Sequence, residues 1–158
     1  MSLVGLSQAT ISWAQLASPN EMGVAMGHLH LNVRDVQAEK KVWIALGGIP
    51  ANQLSANANR EVVKFPGVLI AIAKQREEPT GGSVGSVVDH VGFHVPNVPA
   101  SMAKWKAAGL AVQSGVDGRK DQAFVITPDG LKIEILEDSS MTVPIAMLRP
   151  VNVGGLLA

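Results

Sequence analysis

Residues 28–47 read HLHLNVRDVQAEKKVWIALG, and residues 90–109 read HVGFHVPNVPASMAKWKAAG. Laid over each other at an offset of 62 residues, they set His28 on His90, Val33 on Val95, Val36 on Val98 and Ala38 on Ala100. Trp43 falls on Trp105, Ala45 on Ala107 and Gly47 on Gly109. A tryptophan matching a tryptophan amid this many identities marks one structural unit used twice. Each copy opens on an alternating or apolar run that reads as a strand. A short polar turn follows, Arg34-Asp35 in one copy and Pro96-Asn97 in the other, and then a helical segment near 36–46 or 98–108. Val36, Ala38, Val42, Trp43 and Leu46 give the first helix an apolar side, which leaves Glu39 and Lys40 expected to face water. Gly47 and Gly109 are the residue type that ends helices.

Beyond each helix the pattern predicts three short strands, near 51–56, 60–65 and 68–74 in the first copy and near 111–116, 122–127 and 131–137 in the second. FPGV and TPDGL supply the turn residues between the later strands. The expected fold class is therefore α+β, two βαβββ modules at 26–76 and 86–138 making one domain over 26–138. The link KQREEPTGGSVGS is polar and glycine-rich. Residues 1–25 form an N-terminal arm, and 139–158 an apolar tail expected to pack on the body or on a second subunit.

Composition narrows the function. The 158 residues carry no net charge and no basic run, which argues against nucleic acid and anionic membranes as partners. There is no cysteine, so disulfides, thiolate metal sites and cysteine nucleophiles are excluded. No apolar run is long enough to span a bilayer, and the N-terminus lacks the pattern of a signal peptide. A cytoplasmic location is favoured, unless a leader has been trimmed ahead of the opening MSL.

Side chains along a strand alternate between faces, so His28, His30 and Asn32 share one face, and His90, Gly92 and His94 share the equivalent one. If the copies are related by an approximate two-fold axis, His28 and His90 converge on one point. In DGLKIEILED, Ile133 and Ile135 point one way and Glu134 the other. A carboxylate inside a sheet concavity is costly unless paired, and a metal ion is a natural partner. Two imidazoles and one carboxylate leave coordination positions open, which suits Fe²⁺ or Mn²⁺ and also a catalytic Zn²⁺. The place in copy one matching Glu134, four residues past the turn glycine, holds Ala71. His94, on the His90 face, is the candidate general acid or base. His30 reads equally as a buried histidine or as a group supporting the ligands. Arg119 and Lys120, in the turn 115–122, could guide an anionic substrate but read more simply as solvated.

With GHLHLNVRDV, DHVGFHVPNV and TPDGLKIEILE in place, the chain resembles the vicinal oxygen chelate superfamily of glyoxalases, bleomycin-resistance proteins and extradiol dioxygenases, over residues 26–138. The resemblance implies paired βαβββ modules around one divalent metal, with His28, His90 and Glu134 as ligands. It implies an enzyme with dioxygenase, lyase or isomerase chemistry on a small molecule with vicinal oxygens; a homodimer is expected because the sheet edges need covering and the apolar tail needs burial. The glutamate that glyoxalase I uses at the position of Ala71 is missing, which argues against that activity. The sequence has no tyrosine, which counts against close kinship with catechol dioxygenases and fosfomycin enzymes. The alternative is a metal-free small-molecule binding protein of the bleomycin-resistance type.

Overall fold

The computed structural model describes residues 17–51 and 59–142. The chain divides into two compact units, residues 1–80 and 81–158, with the boundary inside the polar link. Unit one contains β1 (His28–Asn32), α1 (Val36–Ala45), β2 (Ile49–Pro50), β3 (Arg60–Phe65) and β4 (Val68–Ala73). Unit two repeats this as β5 (His90–Val95), α2 (Val98–Ala107), β6 (Ala111–Ser114), β7 (Gln122–Ile126) and β8 (Lys132–Glu137). The sheets have the same order, β1-β4-β3-β2 and β5-β8-β7-β6, in which the first strand lies parallel to the last and the remaining pairs are antiparallel. The expected α+β architecture of two βαβββ units is what the chain adopts.

The two helices are built by the same local rules. Asp35 caps α1 by accepting from the backbone N–H groups of Gln37 and Ala38, and Asn97 caps α2 by accepting from Ala100. Each helix ends on a left-handed glycine, Gly47 at φ 105° and Gly109 at φ 81°. In both, the residue after that glycine donates to the tryptophan carbonyl, Gly48 to Trp43 at 2.9 Å and Leu110 to Trp105 at 3.0 Å. The matched tryptophans thus close the helix ends through their backbones and fill the cores with their rings, at 0% and 3% exposure. Trp43 packs edge-on against Phe65, with ring centroids 5.9 Å apart.

One expectation is corrected. Glu39 does not face water: it is 1% exposed and accepts a hydrogen bond from the Trp43 indole N–H at 3.1 Å. An indole N–H taken into a core needs an acceptor, and a glutamate one turn earlier on the same helix supplies it. A two-residue strand pairs at Ile49–Pro50; the strand expected at 51–56 falls almost wholly on residues 52–58, which lie outside the described region, as do most of the N-terminal arm and of the C-terminal tail.

The link is anchored at both ends. Asn32 binds its first half, donating to the Glu77 carbonyl at 2.7 Å and accepting from the Gln75 N–H at 3.1 Å. Its second half is anchored through Ser83, whose hydroxyl donates to the Asp89 carbonyl and accepts from the Lys132 N–H. Gly82 sits so close to Gly130 that a β-carbon there would stand 2.5 Å from the Gly130 carbonyl oxygen. Among the described residues, no helix is long and apolar enough to cross a membrane.

Candidate metal centre

Each sheet has one face toward its helix and one turned away. In unit two, Val91, Phe93, Ile133, Ile135, Ala123 and Val125 belong to the helix side, and the alternate residues form the second face. The ladder sets His90 beside Lys132, Gly92 beside Glu134 and His94 beside Leu136 on that second face; across from β8, Phe124 pairs with Glu134 and Gln122 with Leu136.

His90 and Glu134 are brought together, with the imidazole Nε2 3.3 Å from Glu134 Oε2. Two donors about 2.1 Å from a common ion are this far apart when they subtend an angle of about 100° at it. Both groups are held from behind. His90 Nδ1 lies 2.9 Å from Asp89 Oδ1, while Asp89 Oδ2 accepts from the Gly85 N–H at 2.8 Å. The Gly85 N–H, then the His90 contact, holds the Asp89 carboxyl below the usual aspartate range. An ionised Asp89 favours a proton on Nδ1, which leaves Nε2 as the lone-pair donor. On the other side, the Gln122 amide donates to Glu134 Oε1 at 2.5 Å, and its carbonyl accepts from the Val116 N–H at 3.0 Å. Gln122 is 6% exposed, so its orientation is fixed by packing and by both hydrogen bonds. One carboxylate oxygen is thereby occupied and the other turned to His90. The donor set, an imidazole nitrogen and a carboxylate oxygen each with an outer partner, fits a divalent ion.

The remaining candidates are placed differently. His28 opens β1 at the ladder place matching His90, because it pairs with Leu69 as His90 pairs with Lys132. Its ring is exposed and meets His30 edge-on at 6.4 Å. His30 is exposed, which removes the buried reading, and its Nε2 lies 3.4 Å from the Gln75 side-chain amide. Ala71 pairs with His30 as Glu134 pairs with Gly92, so the two positions are equivalent in register. His94 is exposed on the His90 face but lies about 13 Å along the strand from it, beside Leu136 rather than Glu134. Arg119 makes a two-point ion pair with Asp121 at 2.9 and 2.7 Å, which satisfies its charge locally, and Lys120 is exposed. Among the described residues, neither unit by itself gathers three His, Asp or Glu side chains into a group that could hold a metal.

Asp89 and Gln122 are the residues that sequence reasoning missed. Asp89 carries a signal, since a carboxylate next to a candidate ligand in an Asp-His pair can orient it. Gln122 gives none, because only the β7–β8 register sets it against Glu134.

Known structures share this architecture. A possible glyoxalase from Bacillus cereus is 23% identical, with a TM-score of 0.53 over 69% of this chain and 95% of its own. Oxidase ChaP-H2 is 19% identical, with a TM-score of 0.54 over 73% and 94%. TnmS3, an antibiotic binding protein from Streptomyces sp. CB03234, is 20% identical, with a TM-score of 0.53 over 71% and 93%. No family model matches the sequence, and no curated protein is significantly similar to it. The chain has the fold of the glyoxalase and bleomycin-resistance proteins, the vicinal oxygen chelate fold. Proteins of that fold include an oxidase and an antibiotic binding protein.

Proposed function

We propose that the protein is a metal-dependent enzyme acting on a small molecule with two neighbouring oxygens, and that His28, His90 and Glu134 hold the ion. The observation that carries this reading is the His90–Glu134 pair with Asp89 behind the imidazole and Gln122 behind the carboxylate. A half-exposed imidazole and a largely buried carboxylate with no common purpose would not need both to be fixed by outer partners. Fe²⁺ and Mn²⁺ suit two imidazoles and a carboxylate, and Zn²⁺ is compatible with the same donors.

A bound ion would serve as a Lewis acid for charge developing on the substrate oxygens. Gln122 keeps one Glu134 oxygen occupied, so the carboxylate donates through the other. Asp89 holds the His90 tautomer that donates through Nε2. His94 lies about 13 Å along the same face from His90, so it is proposed to move a proton only on a substrate long enough to reach it from the ion. Dioxygenase, lyase and isomerase chemistry are all compatible with this arrangement. The assembly is proposed to be a homodimer, since the edge strands of both sheets need covering.

Elemental analysis of protein purified without added metal, followed by oxygen uptake on catechol-like compounds, tests the reading. A stoichiometric ion with turnover supports it. If no metal is retained after loading with Fe²⁺, Mn²⁺ or Zn²⁺, the reading fails. The alternative, a metal-free binding protein, draws on Ala71 at the place of a fourth ligand and on the antibiotic-binding neighbour.

A further inference from the structure

Lys132 is unused by the mechanism above, yet it stands beside it. It is the ladder partner of His90 and lies two residues before Glu134, on the same face of β8. Directly across on β7 is Ile126, but the lysine leans diagonally to Phe124, with its ammonium 4.3 Å from the centre of that ring. Phe124 is itself the partner of Glu134, so the cation is carried toward the carboxylate. It makes no direct ion pair with Glu134 or with any other described carboxylate, although its charge is felt at Asp89. An aromatic face steadies an ammonium without neutralising it, and leaves its N–H groups available to an anion. The matching place in unit one is Leu69, which is 3% exposed, so the lysine is not required by the fold.

We propose that Lys132 selects the substrate by binding an anionic group, so that the molecule taken up carries a carboxylate or similar acid next to the oxygens it would offer to the ion proposed at His90 and Glu134. This rests on the metal reading for the oxygens but not for the anion. An acid bound here meets the ammonium at the His90 end of β8, with the half-buried Ile126 across from the lysine and Phe124 buried beneath it. The charge of Glu134 turns away acids that approach without the lysine, so the pair would discriminate by where the ligand places its charge. Lys132 is a specificity residue, and nothing assigns it a part in bond making or breaking.

The test uses the full chain, loaded with Mn²⁺ and also metal-free, with oxalate as the anionic probe and lactamide as a neutral probe with neighbouring oxygens. Affinities are measured by calorimetry for wild type, Lys132→Met and Lys132→Arg, after thermal melts confirm that the variants fold. Methionine keeps an unbranched stem over Phe124 and removes the charge. The expected result is about tenfold weaker oxalate binding in Lys132→Met, little change for lactamide, and retention in Lys132→Arg. Equal loss for both probes, no loss, or failure of oxalate to bind wild type in either form overturns the proposal. If the wild type takes up no Mn²⁺, the metal reading fails separately. The metal-free titration then decides the Lys132 assignment alone: charge-dependent oxalate binding keeps it, and its absence removes it.

Discussion

The two units share a frame and differ in what they display. Their helices have the same length, the same capping arrangement and the same tryptophan carbonyl in the closing turn. Their ladders run in the same register. On the face turned from the helix, however, Leu69, Ala71 and Val62 of unit one stand where unit two has Lys132, Glu134 and Phe124. Ala51, Val62 and Leu69 form a buried apolar cluster there, whereas unit two sets a histidine, a carboxylate, an amide and a lysine around one point. The backbone rules that build a βαβββ unit constrain the helix side and the turns. They leave the second face free to vary, and the polar side chains of that face are concentrated on one copy. The histidine that opens the first strand is the feature both faces keep.

The largest effect should come from breaking what the units share. Trp43→Ala and Trp105→Ala each remove a fully buried ring and should cost about 3–5 kcal/mol, read from urea denaturation. A gentler change separates the copies. Trp43→Phe removes the donor to the buried Glu39, while Ser101 holds the matching place in α2. Trp43→Phe should therefore cost about 1–2 kcal/mol more than Trp105→Phe, and equal costs would show that the Glu39 bond contributes little.

Next come the supports of the polar face. Gln122→Leu and Asp89→Ala should weaken divalent metal binding by about 10–100-fold, measured by competition against a chelating dye. Unchanged affinity in both would mean that the ordered arrangement behind His90 and Glu134 serves only the sheet.

The smallest effect lies in the helix caps. The N–H groups of Ala38, then Gln37, hold the Asp35 carboxyl below the usual aspartate range. A carboxyl with a depressed folded pKa contributes stability above its unfolded pKa of about 3.9, and that contribution is lost as pH falls through the folded value. The neutral Asn97 cap of α2 does not titrate. The acid limb of the urea midpoint should therefore flatten slightly in Asp35→Asn and not in Asn97→Ser. An identical acid limb in wild type and Asp35→Asn would remove this contribution.

The repeat was legible because it is carried by residues whose reasons are local. Tryptophan, the helix-ending glycines and the turn prolines act over a few positions, and both helices fall within a residue of where the pattern puts them. That His90 and Glu134 each sit on the second face was legible too, since strand alternation gives the face, while their meeting depends on the β5–β8 ladder. Glu39 was misread because hydrophobic patterning counts a glutamate as outward-facing and cannot see that a buried indole N–H needs an acceptor. Gln122 and Lys132 were invisible as site residues because their place depends on which strands pair and in what register. That information lies in the ladder, not in any short stretch.

The account rests on three donors, two of which unit two already brings together. The most direct measurement is Mn²⁺ affinity, by calorimetry, for wild type, His28→Ala, His90→Ala, Glu134→Ala and His30→Ala. The account predicts that the first three substitutions each weaken binding more than about a hundredfold, because two donors cannot enclose the ion, whereas His30→Ala leaves it near wild type. Retained affinity in His28→Ala together with loss in His30→Ala would contradict it.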